Sequence, residues 1–318
     1  MQSSSNLNAV YSSLRMKRRY EVWFLRLGLV DGSGAWWFRY LLMNPGRDGC
    51  TTLNAAPLQL WATWFPRDGA PETLIQHFPK EQLVLSGRGN PDLEFRVGGN
   101  FIHADACRGH IRMQGHDVAW DLQYRSQFHN VLSNKGWIGF SKTPHSDAVF
   151  SGAITFDGTV VRGESLGTGL QGHNCGVRHR HFWTWTHAYL PGVDGSVSTL
   201  EALFYEMPLG LTFRKAILWH RGQARVFRRL RELERDDAGM RWSIVGQDNE
   251  GATLEARMEG PKASTHRLPY VRTDCSGSFE VANNSLAHAH VRLLVPAREP
   301  TELTTDAGAV LEMTGTPR

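Results

Sequence analysis

The segment Gly169–His187, GLQGHNCGVRHRHFWTWTH, decides how this chain is read. It holds four histidines (His173, His179, His181, His187), two tryptophans (Trp183, Trp185) and Cys175. Polar and apolar side chains alternate toward its C-terminal end, the signature of a half-buried β-strand in a barrel or sandwich. On such a strand His179, His181, Trp183, Trp185 and His187 share one face, and Arg178, Arg180, Phe182, Thr184 and Thr186 the other. Asn174 and Gly176 also suit a tight corner before it, because Asn and Gly accept backbone angles that other residues resist.

Strand patterns continue on both sides. Tyr20–Leu27, the turn Asp31-Gly32-Ser33-Gly34 and Ala35–Leu42 form a hairpin; Ala148–Phe156, Asp157-Gly158 and Thr159–Gly163 form another. Leu58–Phe65 and Val118–Tyr124 alternate equally well. A short helix is expected at Glu72–His77, and Arg225–Arg235 fits either a helix or a strand. Roughly sixteen to eighteen strands with little helix predict an all-β protein of two barrel or sandwich modules. The Asn-, Gly-, Ser-, Lys- and Pro-containing stretch from Leu132 to His145 reads as a linker or long loop. The expected division is a flexible arm over 1–19, an N-terminal module over 20–145 and a C-terminal module over 146–318.

At 318 residues, 41% hydrophobic and 21% charged, the chain is long enough for two cores and shows no sign of disorder. A formal charge of +4, with arginines interleaved among acids, does not indicate a nucleic-acid groove. Cys50, Cys107, Cys175 and Cys275 lie far apart, which predicts four reduced thiols and a cytoplasmic protein. No apolar signal region and no transmembrane-length run is visible, while Lys17, Arg18 and Arg19 offer peripheral contact with a membrane surface. The Gly-rich stretches at 87–90 and 167–169 lack a nucleotide-binding context, and no GxSxG elbow occurs.

Several stretches together resemble one family. They are Tyr20–Phe24 with Ala35–Tyr40, Gly152–Ile154 with Asp157-Gly158, Gly172–Gly176, Trp183–Trp185, and Phe279–Ser285 with Gly308–Glu312. They look like the two-domain lipocalin-like (calycin-like) family of AttH-like proteins, hydroxyneurosporene synthase (carotenoid 1,2-hydratase) and, more distantly, tocopherol cyclase. The resemblance spans residues 20–313. It implies two lipocalin-like modules, a hydrophobic pocket, and cofactor-free acid-catalysed hydration or cyclisation of an isoprenoid chain. One departure stands out. The family's His-Asn-Trp-Gly is His-Asn-Cys-Gly here, and losing the indole at Cys175 removes roughly 150–250 Å² of burying surface.

Protonating an alkene needs a positioned acid held protonated by apolar surroundings, aromatic faces toward the developing cation, and a cavity that excludes stray nucleophiles. His173, Asp121 and Glu206 are the catalytic candidates, with Glu164 and Glu201 as further acids. Trp37, Tyr40, Asn174, Cys175, His179, His181, Trp183, Trp185 and His187 are the expected substrate contacts. A zinc arrangement of His173, Cys175, His179 and His181 is the metal-assisted alternative, but spacing fixes no third carboxylate or histidine, and the resemblance implies no metal or cofactor. The expected partner is a hydrophobic, isoprenoid or polyketide-derived small molecule, hydrated or cyclised by the protein. A non-catalytic intracellular carrier of such molecules is the alternative, because barrels host both functions.

Overall fold

The computed structural model describes residues 7–90 and 92–315. The N-terminal sheet comprises β1 (Tyr20–Leu29), β2 (Gly34–Met43), β3 (Leu58–Pro66), β4 (Glu72–Phe78), β5 (Leu83–Leu85) and β6 (Phe95–Val97). It continues with β7 (Asn100–Ile102), β8 (Ala106–Met113), β9 (His116–Arg125), β10 (Asn130–Asn134), β11 (Gly139–Phe156) and β12 (Thr159–Gly176). The C-terminal sheet contains β13 (Trp183–Pro191), β14 (Val197–Glu206), β15 (Thr212–His220), β16 (Gln223–Phe227) and β17 (Arg229–Asp236). Its remaining strands are β18 (Arg241–Gln247), β19 (Thr253–Glu259), β20 (His266–Val271), β21 (Ser278–Leu294) and β22 (Thr301–Thr314).

Both modules follow one scheme. Strands β1 to β4 and β13 to β16 are antiparallel meanders, and the first strand of each pairs with the last strand of its own module, β12 or β22. In each, the penultimate strand also carries a short side partner, β10 on β11 and β20 on β21. The all-β, two-module architecture is therefore as expected, with repeated topology in the two halves.

Burial on both faces explains the continuous apolar run of β2. Trp36, Phe38, Tyr40 and Leu42 enter the N-terminal core, whereas Trp37 and Leu41 join a cluster that also contains Phe24, Trp185, Leu203 and Val310. That second cluster is the seam between modules, so β2 has no solvent face and does not alternate. A separate core around Leu200, Phe204, Trp242 and Met258 fills the C-terminal module. Arg26 crosses the seam. It is 1% exposed and donates to the backbone carbonyls of Ser285 and Ala307 across the interface and of Thr168 on its own side. Burial lowers its pKa to about 10.

Several expectations are corrected. Glu72–His77 lies within strand β4, and Arg225–Arg235 spans β16 and β17. The expected boundary at 145 falls inside β11, and the chain passes between sheets at 177–182. Residues 174–176 form no corner: they pair in register with β1 and β11. Gly176 instead leaves room for the Tyr20 ring, which lies 2.9 Å from where a Cβ would sit. The arm is packed from residue 7 onward, with Leu7, Asn8 and Val10 buried. The Trp23 indole donates to Asn8 O, and Asn8 exchanges amide hydrogen bonds with Gln171. Finally, Cys50 and Cys275 form a disulfide that ties the modules together, leaving Cys107 and Cys175 as buried free thiols. Their separation of 225 residues is what hides this pairing from the sequence.

Candidate active site

A cavity opens at one end of the seam, where β1, β2 and β12 face β13, β14 and β22. It encloses about 140 Å³, several times what one buried water needs. The seam-facing side chains of β1 (Tyr20, Val22, Phe24) and β2 (Trp37, Arg39) form one wall. Trp183 and Trp185 of β13, with Leu203 and Tyr205 of β14, form the opposite wall. Gly172 permits this packing, because a Cβ there would meet the Phe24 ring at 2.2 Å. Phe24 stacks on Trp37 at 5.4 Å and meets Trp185 edge-on at 5.8 Å.

The crossing segment supplies Arg178, His179 and Arg180 to the same cavity. It leaves one sheet for the other and is a strand of neither, so the polar alternation at 179–182 is loop rather than strand. Only from Trp183 onward does the two-face reading apply. Trp183, Trp185 and His187 then point into the seam, while Ala188 and Leu190 enter the C-terminal core. His179 stacks on Tyr20 at 4.2 Å between Trp183, Tyr270 and Phe279. Burial, reinforced by the charges of Arg39 and Arg272, lowers its pKa to about 3, so its imidazole is neutral at physiological pH.

The single carboxyl lining this cavity is Glu312 of β22, 9% exposed. One oxygen accepts from the Trp183 indole at 2.8 Å. The other accepts from the Tyr270 hydroxyl and the Asn283 amide, each at 3.3 Å. Burial raises the pKa of Glu312, with Arg39 and these donors opposing the shift. A buried acid with raised affinity for its proton, held by Trp183 and Tyr270, can protonate an unsaturated ligand and then hold the carboxylate left behind. Glu312 was quoted in the sequence only as part of a strand ending. Its signal in the sequence is a lone acid in the apolar run Ala309–Met313.

The structure distributes the sequence candidates unevenly. Trp37, Asn174, Cys175, His179, Trp183 and Trp185 line this cavity together. Tyr40 lies in the N-terminal core, accepting from the Trp120 indole and donating to Arg108 O. His181 is exposed on the crossing segment. His187 is buried in the seam against Ser146 O at 2.7 Å. Asp121 is exposed and paired with Arg108, Glu164 is exposed, and Glu206 ends β14 outside the cavity lining. Glu201 is buried behind Trp185, accepting from its indole and from Asn130 and Thr143 of the other module.

His173 faces the interior of the N-terminal barrel. Both it and Glu21 are fully buried, with Nε2 2.9 Å from the Glu21 carboxylate and Nδ1 2.7 Å from Leu7 O. Glu21 also accepts the backbone N–H groups of Tyr11 and Ser12. Burial works to raise its pKa, but the His173, Ser12 and Tyr11 hydrogen bonds win and lower it. The pair thus fastens the arm into the barrel mouth. Cys175 completes that fastening, its sulfur 3.1 Å from Arg19, which also donates to Trp137 O. Its thiol pKa is pushed up to about 12 by burial and the Glu21 charge. His173, His179 and His181 lie in three separate surroundings, and among the described residues no group of three or more His, Cys, Asp or Glu side chains is arranged to hold a metal ion.

Three solved structures are similar across nearly the whole chain. A protein from Nitrosomonas europaea described as an AttH has a TM-score of 0.54 and 13% identity, covering 96% of this chain and 94% of that one. The fold is that of the AttH-like proteins. Kievitone hydratase from Nectria haematococca gives 0.54 at 11% identity, with 99% and 96% coverage. CghA gives 0.60 at 11% identity, with 95% and 90% coverage. No protein-family model and no curated protein sequence matches the chain. At these identities the shared property is the fold.

Proposed function

We propose that this AttH-like protein is a cofactor-independent hydratase or cyclase acting on an apolar small molecule, isoprenoid or polyketide-derived, with Glu312 as its acid. The observation that carries this reading is the lone carboxyl, of raised pKa, in a cavity walled by tryptophan and tyrosine rings. That one structural neighbour is, by its name, a hydratase agrees with it.

The protonated Glu312 delivers its proton to one alkene carbon, and the adjoining carbon becomes cationic. The faces of Trp183, Trp185 and Tyr270 attract that charge. Water, or a hydroxyl of the substrate itself, adds to the cation through oxygen. The proton released from that oxygen returns to the Glu312 carboxylate, which restores the acid and balances the cycle. Neutral His179 is placed to orient the nucleophile, since its Nδ1 has no protein partner. The test is incubation of extracts of the source organism with the purified protein. Mass spectrometry should show a substrate replaced by an isomer or by a product heavier by one water. Stable binding of an extract compound with no chemical change would establish the carrier function instead.

A further inference from the structure

Among the described residues, four buried polar atoms along this one cavity have no hydrogen-bond partner: Trp37 Nε1, Arg39 Nη1, Asn174 Oδ1 and His179 Nδ1. Buried polar groups are nearly always satisfied, so such a cluster marks places that a bound molecule fills. Two of the four stand out. Trp37 and Arg39 are 3% and 5% exposed, and both atoms are donors. They sit two apart on β2, on the seam-facing side, and therefore point the same way.

Arg39 is held as if for a ligand. Its guanidinium lies between two rings, 4.6 Å from the centroid of Trp61 and 4.4 Å from that of Tyr270. Stacking covers the faces of a planar fork and leaves its in-plane donors to act. Among the described residues no hydrogen bond joins Arg39 Nη1 to the lone cavity carboxyl, Glu312, whose oxygens accept from Trp183, Tyr270 and Asn283. Lys135, Arg178 and Arg180 add positive charge around the same cavity, so four cationic side chains face one carboxyl. Such a surplus opposes formation of a carbocation unless the substrate brings negative charge of its own.

We propose that the substrate carries one ionised acidic oxygen group, a carboxylate or acidic enolate, which docks on Arg39 Nη1 and Trp37 Nε1 while its apolar body lies among the tryptophans. This rests on the proposed function for the location of the site, but not on Glu312 being the acid. The bound anion satisfies both orphan donors in a charge-assisted pair and cancels the excess charge beside the reacting alkene. Basic residues at Lys135, Arg178 and Arg180 draw such an anion toward the cavity.

Calorimetric titration with two matched probes, 1-naphthaleneacetate and the uncharged 1-naphthaleneacetamide, tests this directly. The unaltered protein is expected to bind the acid at least about tenfold tighter than the amide, a preference that weakens as salt is added. R39M should abolish the preference while leaving amide binding in place. R39K, which keeps the charge but not the planar fork, should retain part of it and serves if R39M does not fold. E312Q should keep the full preference, which separates this proposal from the catalytic one: loss of turnover with the preference intact bears only on the acid. Equal binding of the two probes, no binding of either, or an undiminished preference in R39M or R39K overturns the proposal.

Discussion

Reducing the Cys50–Cys275 disulfide should cost this protein several kilocalories of stability. The bond joins residues 225 apart, so in the unfolded chain it closes more than two-thirds of the 318-residue sequence into a ring. The chain-entropy relation gives about 5 kcal/mol for a loop of that size at 25 °C. Spread over 318 residues, at roughly 2.1 cal/mol/K of unfolding entropy per residue, that is a fall of about 8 °C in Tm. Two assays check it. Thiol titration of protein purified without reductant and then denatured should find two reactive cysteines, Cys107 and Cys175. Thermal unfolding with and without a phosphine reductant should show the drop, and the C50S/C275S double variant should match the reduced protein. Four titratable thiols, together with a Tm indifferent to reductant, would refute the covalent tie between modules.

Two further perturbations probe how the scaffold holds the cavity. R26M orphans the Ser285 and Ala307 carbonyls at about 1–3 kcal/mol each, partly offset by removing a buried charge. A net loss of about 2 kcal/mol in urea unfolding is expected, and a gain would contradict the role given to Arg26. Glu21 has a folded-state pKa below its ordinary 4.5, so its contribution is complete above that pH and disappears as pH falls through the lower value. E21Q should therefore be less stable at pH 7 by about 3 kcal/mol, with the gap from the unaltered protein narrowing below pH 4.5. A gap that does not change with pH would refute it.

Local pattern carried most of the fold, because hairpins such as Tyr20–Leu27 with Ala35–Leu42 announce themselves through alternation and a Gly-rich turn. It also placed Trp183 and Trp185 on one face. What it could not supply was partnership across long separations. Trp36 and Trp37 look equivalent in sequence, yet one fills the N-terminal core and the other the cavity, since β2 is covered on both sides. His173 drew attention through its motif, but its surroundings depend on Glu21 and on Leu7 of an arm that composition alone marked as flexible. The polar alternation at 179–182 suggests strand, although the segment belongs to neither sheet. Glu312 is not legible as the cavity acid in the sequence, because its environment is assembled from Trp183, Tyr270 and Asn283, each remote along the chain.

The most direct measurement of the central claim compares the unaltered protein with E312Q on the substrate recovered from source extracts, across a range of pH. Glu312 must be protonated to act, and burial raises its pKa, so the unaltered rate should persist above the usual carboxylate range and fall as pH rises through the raised value. E312Q keeps the shape of the side chain but has no acidic proton. It should lose at least about a hundredfold in rate while still binding the substrate and melting within a few degrees of the unaltered protein. A folded, substrate-binding E312Q that turns over at the unaltered rate would show that the acid lies elsewhere.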